Sequence, residues 1–330
     1  MKKKFHIPNW LQNFLKVAFG ATAIWILIHS GALDPKALAQ AFLKHPRLCL
    51  AGFFVYLIPI LLAGWLRWHL LMRNAGLKIS ALRSLSLHMI GIFFNTVIPG
   101  GNGGDLIKGY YLFKNFKPGE KSLALTSIAM DRLVGTYGLL VMGMAMTWVN
   151  YDLWKDSTLL RFNSFFYAGV FLLATVLIIL FLSPFANRIL AHPSIAKFPG
   201  GKFFSSLAQS LLVYRLNPMG LIPVLFMGFI VDCGLILLYF IFAKTLGLTV
   251  PLLVHGYVVP TLTMINGLPI SPAGIGVGEA AGEVIYRNVG VTNGGSEILA
   301  LVHICILIAS LFGAPFYFLY RANREEKTKK

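Results

Sequence analysis

The sequence predicts an all-α polytopic membrane protein: about six full transmembrane helices plus two broken or re-entrant hairpins, arranged as an inverted repeat. Three observations predict it. The first is composition. Of 330 residues, 57% are hydrophobic and only 12% are charged, against about 25% charged in a soluble domain, and the mean hydropathy is +0.72. That excludes a disordered chain and argues against a soluble enzyme, whose surface needs far more charge. The second is the recurrence of apolar runs of membrane length. The third is charge placement. Lys plus Arg is 29 and Asp plus Glu is 12, a net charge of +17, and the basic residues sit between the apolar runs and at the two ends. Such a pattern belongs to loops facing an anionic leaflet, not to a nucleic-acid surface.

The full-length spans are read at Phe14 to Gly31, Leu48 to Leu66, Ser122 to Val149, Phe165 to Ser183, Leu221 to Ala243 and Ile298 to Tyr320. Met1 to Lys4 before the first run resembles the start of a signal peptide, but the run is long for one. An uncleaved first span is expected. Two more apolar regions, Leu85 to Phe113 and Pro251 to Asn288, are interrupted near the middle by Gly and Pro clusters. Asn187 to Pro218 reads as a cytoplasmic loop, within which Gly201 to Leu216 carries Phe203, Phe204, Leu207, Leu211 and Leu212 near helical spacing, as an interfacial helix would.

Basic residues set the expected topology. The N-terminus, Arg67 to Arg83, Lys108 to Lys121, Asn187 to Pro218 and the C-terminus are rich in Lys and Arg, whereas Asn150 to Arg161 balances Asp152 and Asp156 against Lys155 and Arg161. The positive-inside rule then puts both termini in the cytoplasm. Leu85 to Phe113 enters from the cytoplasm and returns. Pro251 to Asn288 begins outside, as a hairpin or as two full spans. Asp34 to Arg47 departs from the rule, since it should lie outside yet carries Lys36, Lys44 and Arg47.

The two interrupted regions resemble each other. One reads Asn95-Thr-Val-Ile-Pro99-Gly-Gly101-Asn-Gly103-Gly-Asp105, the other Asn266-Gly-Leu-Pro269-Ile-Ser271-Pro272-Ala-Gly274-Ile-Gly276-Val-Gly278-Glu279. Each has Asn, then Pro, then Gly two and four residues on, then a carboxylate. Opposite entry sides make this an inverted repeat of broken helices meeting near the midplane. Irregular backbone at that depth must line a cavity or be buried in protein. Helix N-termini there would attract an anion such as phosphate. The alternative is that the glycines serve helix packing, and Gly274, Gly278 and Gly282 do form a ridge at spacing four.

Six of the twelve acids, Asp105, Asp131, Asp232, Glu279, Glu283 and Glu297, lie in or beside apolar segments. A charge at the bilayer centre costs at least about 2.5–3.5 kcal/mol, so each should face an aqueous path or a partner. Asp131 and Arg132 point about 100° apart on a helix and should pair elsewhere. Arg132 is the natural phosphate binder there. A structural ion pair is the competing reading. Glu279, Glu283 and Arg287 share a helix face, which suits proton coupling or a Glu–Arg brace. Asp232 stands mid-span with no opposite charge beside it in sequence, a weaker candidate. His88, His255 and His303 read as interfacial or hydrogen-bonded core. Cys49, Cys233 and Cys305 read as small core hydrophobes. HExxH, Cys pairs, a P-loop, GxGxxG after a strand and GxSxG are all missing, so no metal or cofactor is expected.

Three stretches together, Asn95 to Leu112, Asp131 to Gly135 and Leu268 to Glu279, resemble the flippase-like family named for the lysylphosphatidylglycerol synthase transmembrane domain. The resemblance runs from about the second span to the last. It implies a bacterial or archaeal inner-membrane protein with two re-entrant hairpins that moves lipids between leaflets: aminoacylated phospholipids in some relatives, polyprenyl-phosphate sugars in others. Matched by motif, the implied substrate-binding residues are Asn95, Pro99, Gly101, Gly103 and Asp105, then Asp131 and Arg132, then Ser271, Pro272, Gly274, Gly276 and Glu279; Lys108 and Glu283 join them. Lys108 stands where the family often has Arg, and Ala273 where it often has Gly. Lys offers charge without bidentate phosphate geometry. A single membrane domain over 1–330 is expected, without the soluble aminoacyl transferase domain of the phospholipid-modifying relatives.

The function expected is therefore a lipid flippase or scramblase for an anionic or phosphate-bearing lipid, not an enzyme. The alternatives are a small-solute secondary transporter, a membrane transferase using a polyprenyl-phosphate donor, and a structural partner. Expected partners are a membrane lipid and, through the glycine ridge, a homo-oligomer. Nucleic acid is not one.

Overall fold

The computed structural model describes residues 35–97, 103–183, 212–268 and 274–328, with Trp25 and His29 ahead of them. Every element among these is helical. Helix α1 is Pro35–Lys44, so the segment expected as an outer loop is a helix, packed on its successor and on α11 below. Helix α2 spans Pro46–Asn74 and carries a wide π-turn at Tyr56–Leu62 around Pro59. Proline lacks the N–H and crowds the preceding turn, and the wider turn relieves both. The first hairpin is α3 (Ala81–Val97) and α4 (Gly103–Asn115). Helix α5 (Pro118–Val149) opens with the Glu120 carboxylate accepting the Lys117 N–H. Short α6 (Tyr151–Trp154) leads to α7 (Thr158–Leu182), whose N-cap Ser157 accepts the Leu160 N–H. Helix α8 (Ile222–Thr245) follows a 3-10 turn at Pro218–Leu221. The second hairpin is α9 (Leu252–Asn266) and α10 (Val277–Asn288). Helices α11 (Gly295–Leu311) and α12 (Gly313–Thr328) follow.

Among the described residues, five helices are long and apolar enough to cross a membrane: Pro46–Asn74, Glu120–Val149, Thr158–Leu180, Pro218–Thr245 and Gly295–Tyr320. They are the five predicted spans that fall on described residues. The first predicted span, Phe14 to Gly31, and most of Gly201 to Leu216 lie outside them. Helices α9 and α10 have 15 and 12 residues, about 22 and 18 Å at 1.5 Å per residue. Neither helix alone reaches across a hydrocarbon core of about 30 Å, as expected of the two arms of a hairpin.

The two halves repeat element for element. Helices α2, α3, α4 and α5 correspond to α8, α9, α10 and α11. Under that exchange α3 packs on α11 as α9 packs on α5, and α4 lies against α3 and α5 as α10 lies against α9 and α11. Helices α2 and α8 pack on each other, and they run antiparallel: Gly52 faces Phe242, Gly234 receives Pro59 and Ile60, and Asn74 accepts the Asn217 side-chain amide at 2.7 Å. An antiparallel pair related by the repeat makes the repeat inverted. Both hairpins dock on the shared pair α5 and α11. Their tips, where they were expected to meet, lie outside the described residues.

One core gathers Tyr56, Tyr239, Phe242, Tyr257, Tyr286 and Leu299; another gathers Trp68, Leu71, Met72, Leu112 and Tyr214. Lipid is as apolar as these side chains, so close packing and buried hydrogen bonds, not water exclusion, hold the helices together. Helix α7 is peripheral, with Phe162, Phe165, Phe166 and Leu172 exposed.

Candidate functional site

Asp131 and Arg132 sit near the middle of the 32-residue α5. Each finds a different partner, as their 100° separation requires. Asp131 takes the Arg67 Nε at 2.7 Å, with both side chains 12% exposed. Arg132 gives its Nε to Asp105 Oδ2 at 2.6 Å. Asp105, in the first turn of α4, also faces Lys108 Nζ at 3.6 Å. Lys108 is buried, with its ammonium 4.9 Å from the Trp68 ring centre and 3.5 Å from His88 Nδ1. One network of alternating charge therefore joins α2, α4 and α5.

The Arg67 guanidinium lies between two glycines. A Cβ on Gly135 would stand 2.9 and 3.0 Å from its Nη1 and Nη2, and one on Gly228 would stand 3.9 Å from Nη1. Gly135 leaves it room, whereas a Cβ at Gly228 would only touch it at ordinary van der Waals distance. Its Nε is committed to Asp131, while Nη1 and Nη2 have no acceptor among the described residues. Arg67 also lines a groove of about 400 Å³ between α2, α5, α8 and α9. Asp131, Arg132, Asp232 and Thr263 bring polar atoms to the groove, and Leu139, Leu235, Met264 and Leu268 supply apolar wall. On the other side of the Asp105–Arg132 pair, a shallow, open apolar cleft of about 550 Å³ runs between α4 and α5 along Leu106, Tyr110, Phe113, Leu125 and Ile128, with Leu106, Tyr110 and Phe113 exposed. Asp105 is at its polar end.

In both hairpins a glycine packs on an asparagine side chain, with a hydrogen bond in the first and, among the described residues, none to the buried Asn266 Oδ1 in the second. In the first, the Gly104 N–H donates to Asn95 Oδ1 at 2.7 Å, and Gly104 packs against the backbone of Gly91. In the second, Gly278 packs against Asn266 Oδ1. The residue after each glycine is the carboxylate, Asp105 or Glu279, and each carboxylate pairs with a nitrogen base on the next long helix. For Asp105 that is Arg132; for Glu279 it is His303 Nδ1 at 2.6 Å. The two differ in openness. Glu279 also accepts its own N-cap Gly276 N–H at 2.6 Å and is 1% exposed. The positive end of α10 is thus occupied by the chain itself. Gly274 and Gly276 have φ of 81° and 90°, which a side chain would strain.

Of the expected site residues, Asp131 and Arg132 line the groove, with Asp105 and Lys108 directly behind Arg132. Asn95 and Gly103 build the first hairpin around them. Glu279 and Glu283 do not line the groove. Glu283 pairs with Arg287 at 2.7 Å and meets the Ser296 N–H at 3.4 Å, so Arg287 braces Glu283 and leaves Glu279 to His303. Gly278 and Gly282 pack on α11, where a Cβ on Gly282 would stand 3.0 Å from the Gly295 carbonyl oxygen. Pro99, Gly101, Ser271 and Pro272 lie outside the described residues. His255 bonds Tyr286 Oη at 2.7 Å in the core. Arg67, which the charge pattern places among loop cations, falls within α2 and joins the groove as a further candidate residue.

The family described as the lysylphosphatidylglycerol synthase TM region matches residues 13–314. The chain belongs to this family. A curated relative is the UPF0104 membrane protein PH1989 of Pyrococcus horikoshii, 23% identical over 135 residues, which cover 41% of this chain and 40% of the relative. The chain thus spans about 40% of the length of the curated relative it matches. No solved structure matches the chain. Membership of the lysylphosphatidylglycerol synthase TM family agrees with the multi-pass helical fold and with the three stretches that carried the resemblance.

Proposed function

We propose that this member of the lysylphosphatidylglycerol synthase TM family is a flippase or scramblase for an anionic or phosphate-bearing lipid. The observation that carries the reading is the junction of two unlike spaces near the middle of α5. One is a groove holding two arginines; the other is an apolar cleft, and the Asp105–Arg132 pair divides them. A lipid has those two parts. The Nη1 and Nη2 atoms of Arg67 offer a fork to phosphate oxygens. Arg132 is 49% exposed and reaches the same groove. Side chains from Leu106 to Phe113 and from Leu125 to Ile128 suit an acyl or prenyl chain. A small solute would need the groove but not the cleft.

The inverted pairing of hairpins on α5 and α11 suits alternating access, in which one repeat rocks against the other. The basic loops orient the chain with the Asn74 and Asn217 end in the cytoplasm and the Asn150 end outside, in a bacterial or archaeal cytoplasmic membrane. The test is mass spectrometry of lipid co-purifying with wild type and with Arg132→Gln, against bulk membrane. One phosphate-bearing lipid enriched with wild type and depleted with the variant supports the reading. Equal bulk profiles for both, with uptake of a soluble solute into proteoliposomes, favour a solute transporter.

A further inference from the structure

Asp232 is unlike the other carboxylates of the groove. It lies near the middle of α8, is 5% exposed, and lines the groove. It makes no hydrogen bond and no ion pair among the described residues. Asp105 has two cationic partners and Asp131 has one. Asp232 Oδ2 faces Gly138 of α5, where a Cβ would stand 3.0 Å away. One helical turn before it, Gly228 lies under Arg67. Arg67 is the cation whose field reaches Asp232.

The groups around it are few. Helix α2 presents Arg67 and α5 presents Asp131 and Arg132. Tyr167 of α7 feels the Asp232 charge, and Cys233 is its chain neighbour. Helices α9 and α11 bring no titratable side chain to the groove. With all groups charged, Arg67, Lys108 and Arg132 balance Asp105, Asp131 and Asp232. A phosphate anion placed on Arg67 breaks that balance and takes up the cation that, among the described residues, acts on Asp232. In a poorly solvated site an added anion is costly unless a positive charge enters with it. Of the three carboxylates, Asp232 alone has no partner to displace, so a proton binds there most cheaply.

We propose that Asp232 is the proton site of the groove, and that a phosphate-bearing head group and one proton bind together. The step is a proton transfer from bulk water to Asp232 as phosphate oxygens meet the Arg67 fork; no other bond forms or breaks. Loading is then electroneutral, and affinity for the phosphate falls as pH rises. The proposal rests on the lipid reading above.

The test is proton uptake in a weakly buffered solution of the purified protein, followed with a pH-indicator dye, while short-chain phosphatidylglycerol is added. Bound lipid is counted in parallel. At a pH alkaline enough for Asp232 to be ionised before lipid is added, wild type should take up one proton per lipid bound; Asp232→Asn should bind the lipid and take up none, and Asp232→Glu should restore uptake. Uptake by Asp232→Asn equal to wild type, or wild-type binding without uptake, overturns the proton site and leaves the lipid reading standing. No binding by wild type overturns both. Glycerophosphoglycerol, a phosphodiester monoanion without acyl chains, separates the sources in a parallel titration: uptake with the lipid alone assigns the site to a whole lipid, and equal uptake with both probes assigns it to the phosphodiester itself while supporting the proton site. An infrared carboxyl band that appears on lipid binding in wild type and not in Asp232→Asn is the independent readout.

Discussion

The first hairpin closes on a contact that a single methyl group should break. Gly104 of α4 lies against Gly91 of α3, and its N–H donates to Asn95 Oδ1 at 2.7 Å. In Gly104→Ala the new Cβ would overlap the Gly91 carbonyl oxygen, standing 2.5 Å from the carbonyl carbon and 2.7 Å from Asn95 Oδ1. Two of those obstacles are backbone, so no rotamer change relieves them. Restoring van der Waals distance parts the arms by roughly 1 Å, which stretches the hydrogen bond past useful length. Overpacking of this kind costs about 1–3 kcal/mol, and the lost hydrogen bond about 1 kcal/mol more. Alanine's better helix propensity returns about 0.8 kcal/mol. The net loss expected is about 1–3 kcal/mol, or roughly 5- to 150-fold in the folding equilibrium. Reversible unfolding in mixed micelles of increasing SDS fraction measures it. The internal control is Gly169→Ala on α7, where the Cβ would meet nothing within 4 Å; it should be neutral or gain up to about 1 kcal/mol. If the two variants unfold at the same SDS fraction, the hairpin contact does not hold the arms as described.

Three further outcomes follow from the charge network and the topology. Asp131→Leu should cost about 3–5 kcal/mol in the same unfolding assay, because it leaves the Arg67 guanidinium buried and unpaired; the double variant Asp131→Leu with Arg67→Met should lose clearly less than the sum of the singles. Glu279→Gln should lower stability by about 1.5–3 kcal/mol through its hydrogen bond to His303 while leaving retained lipid near the wild-type amount, because Glu279 does not line the groove; depletion as deep as that of Arg132→Gln would put Glu279 in the lipid path. For sidedness, single cysteines at Asn74 and Asn150 in a chain lacking Cys49, Cys233 and Cys305 should label oppositely with an impermeant thiol reagent on intact cells: Asn150→Cys reacts and Asn74→Cys does not. The reverse pattern would invert the orientation drawn from the basic loops.

Much of this fold is legible in local sequence because a bilayer fixes helix length and excludes charge. The spans read at Ser122 to Val149 and Ile298 to Tyr320 fall within a few residues of the helices at Pro118–Val149 and Gly295–Leu311 with its continuation. The second span was read to end at Leu66, whereas α2 continues to Asn74. The eight residues between contain Arg67, His69 and Arg73, which hydropathy reads as a loop. In the folded chain Arg67 pairs with Asp131, and His69 Nδ1 meets the Ser84 hydroxyl at 2.9 Å. Hydropathy failed where polar side chains are satisfied by protein, which is also where the groove lies. The partners themselves are long-range. Arg67 and Asp131 are 64 residues apart, and Glu279 and His303 are 24 apart, so no helical period links them. The motif repeat was legible down to Asn95 and Asn266. The pairing of each following carboxylate with the next long helix was not, because it depends on how the arms dock.

The central claim is that a phosphate-bearing lipid crosses through the Arg67 and Arg132 groove. Purified protein in vesicles containing fluorescent phosphatidylglycerol, with dithionite added outside, tests it most directly. Wild type should expose inner-leaflet lipid to quenching well above protein-free vesicles. Arg67→Gln and Arg132→Gln should fall to the protein-free level, and the peripheral Gly169→Ala should match wild type. Equal quenching by wild type and both arginine variants would contradict the account.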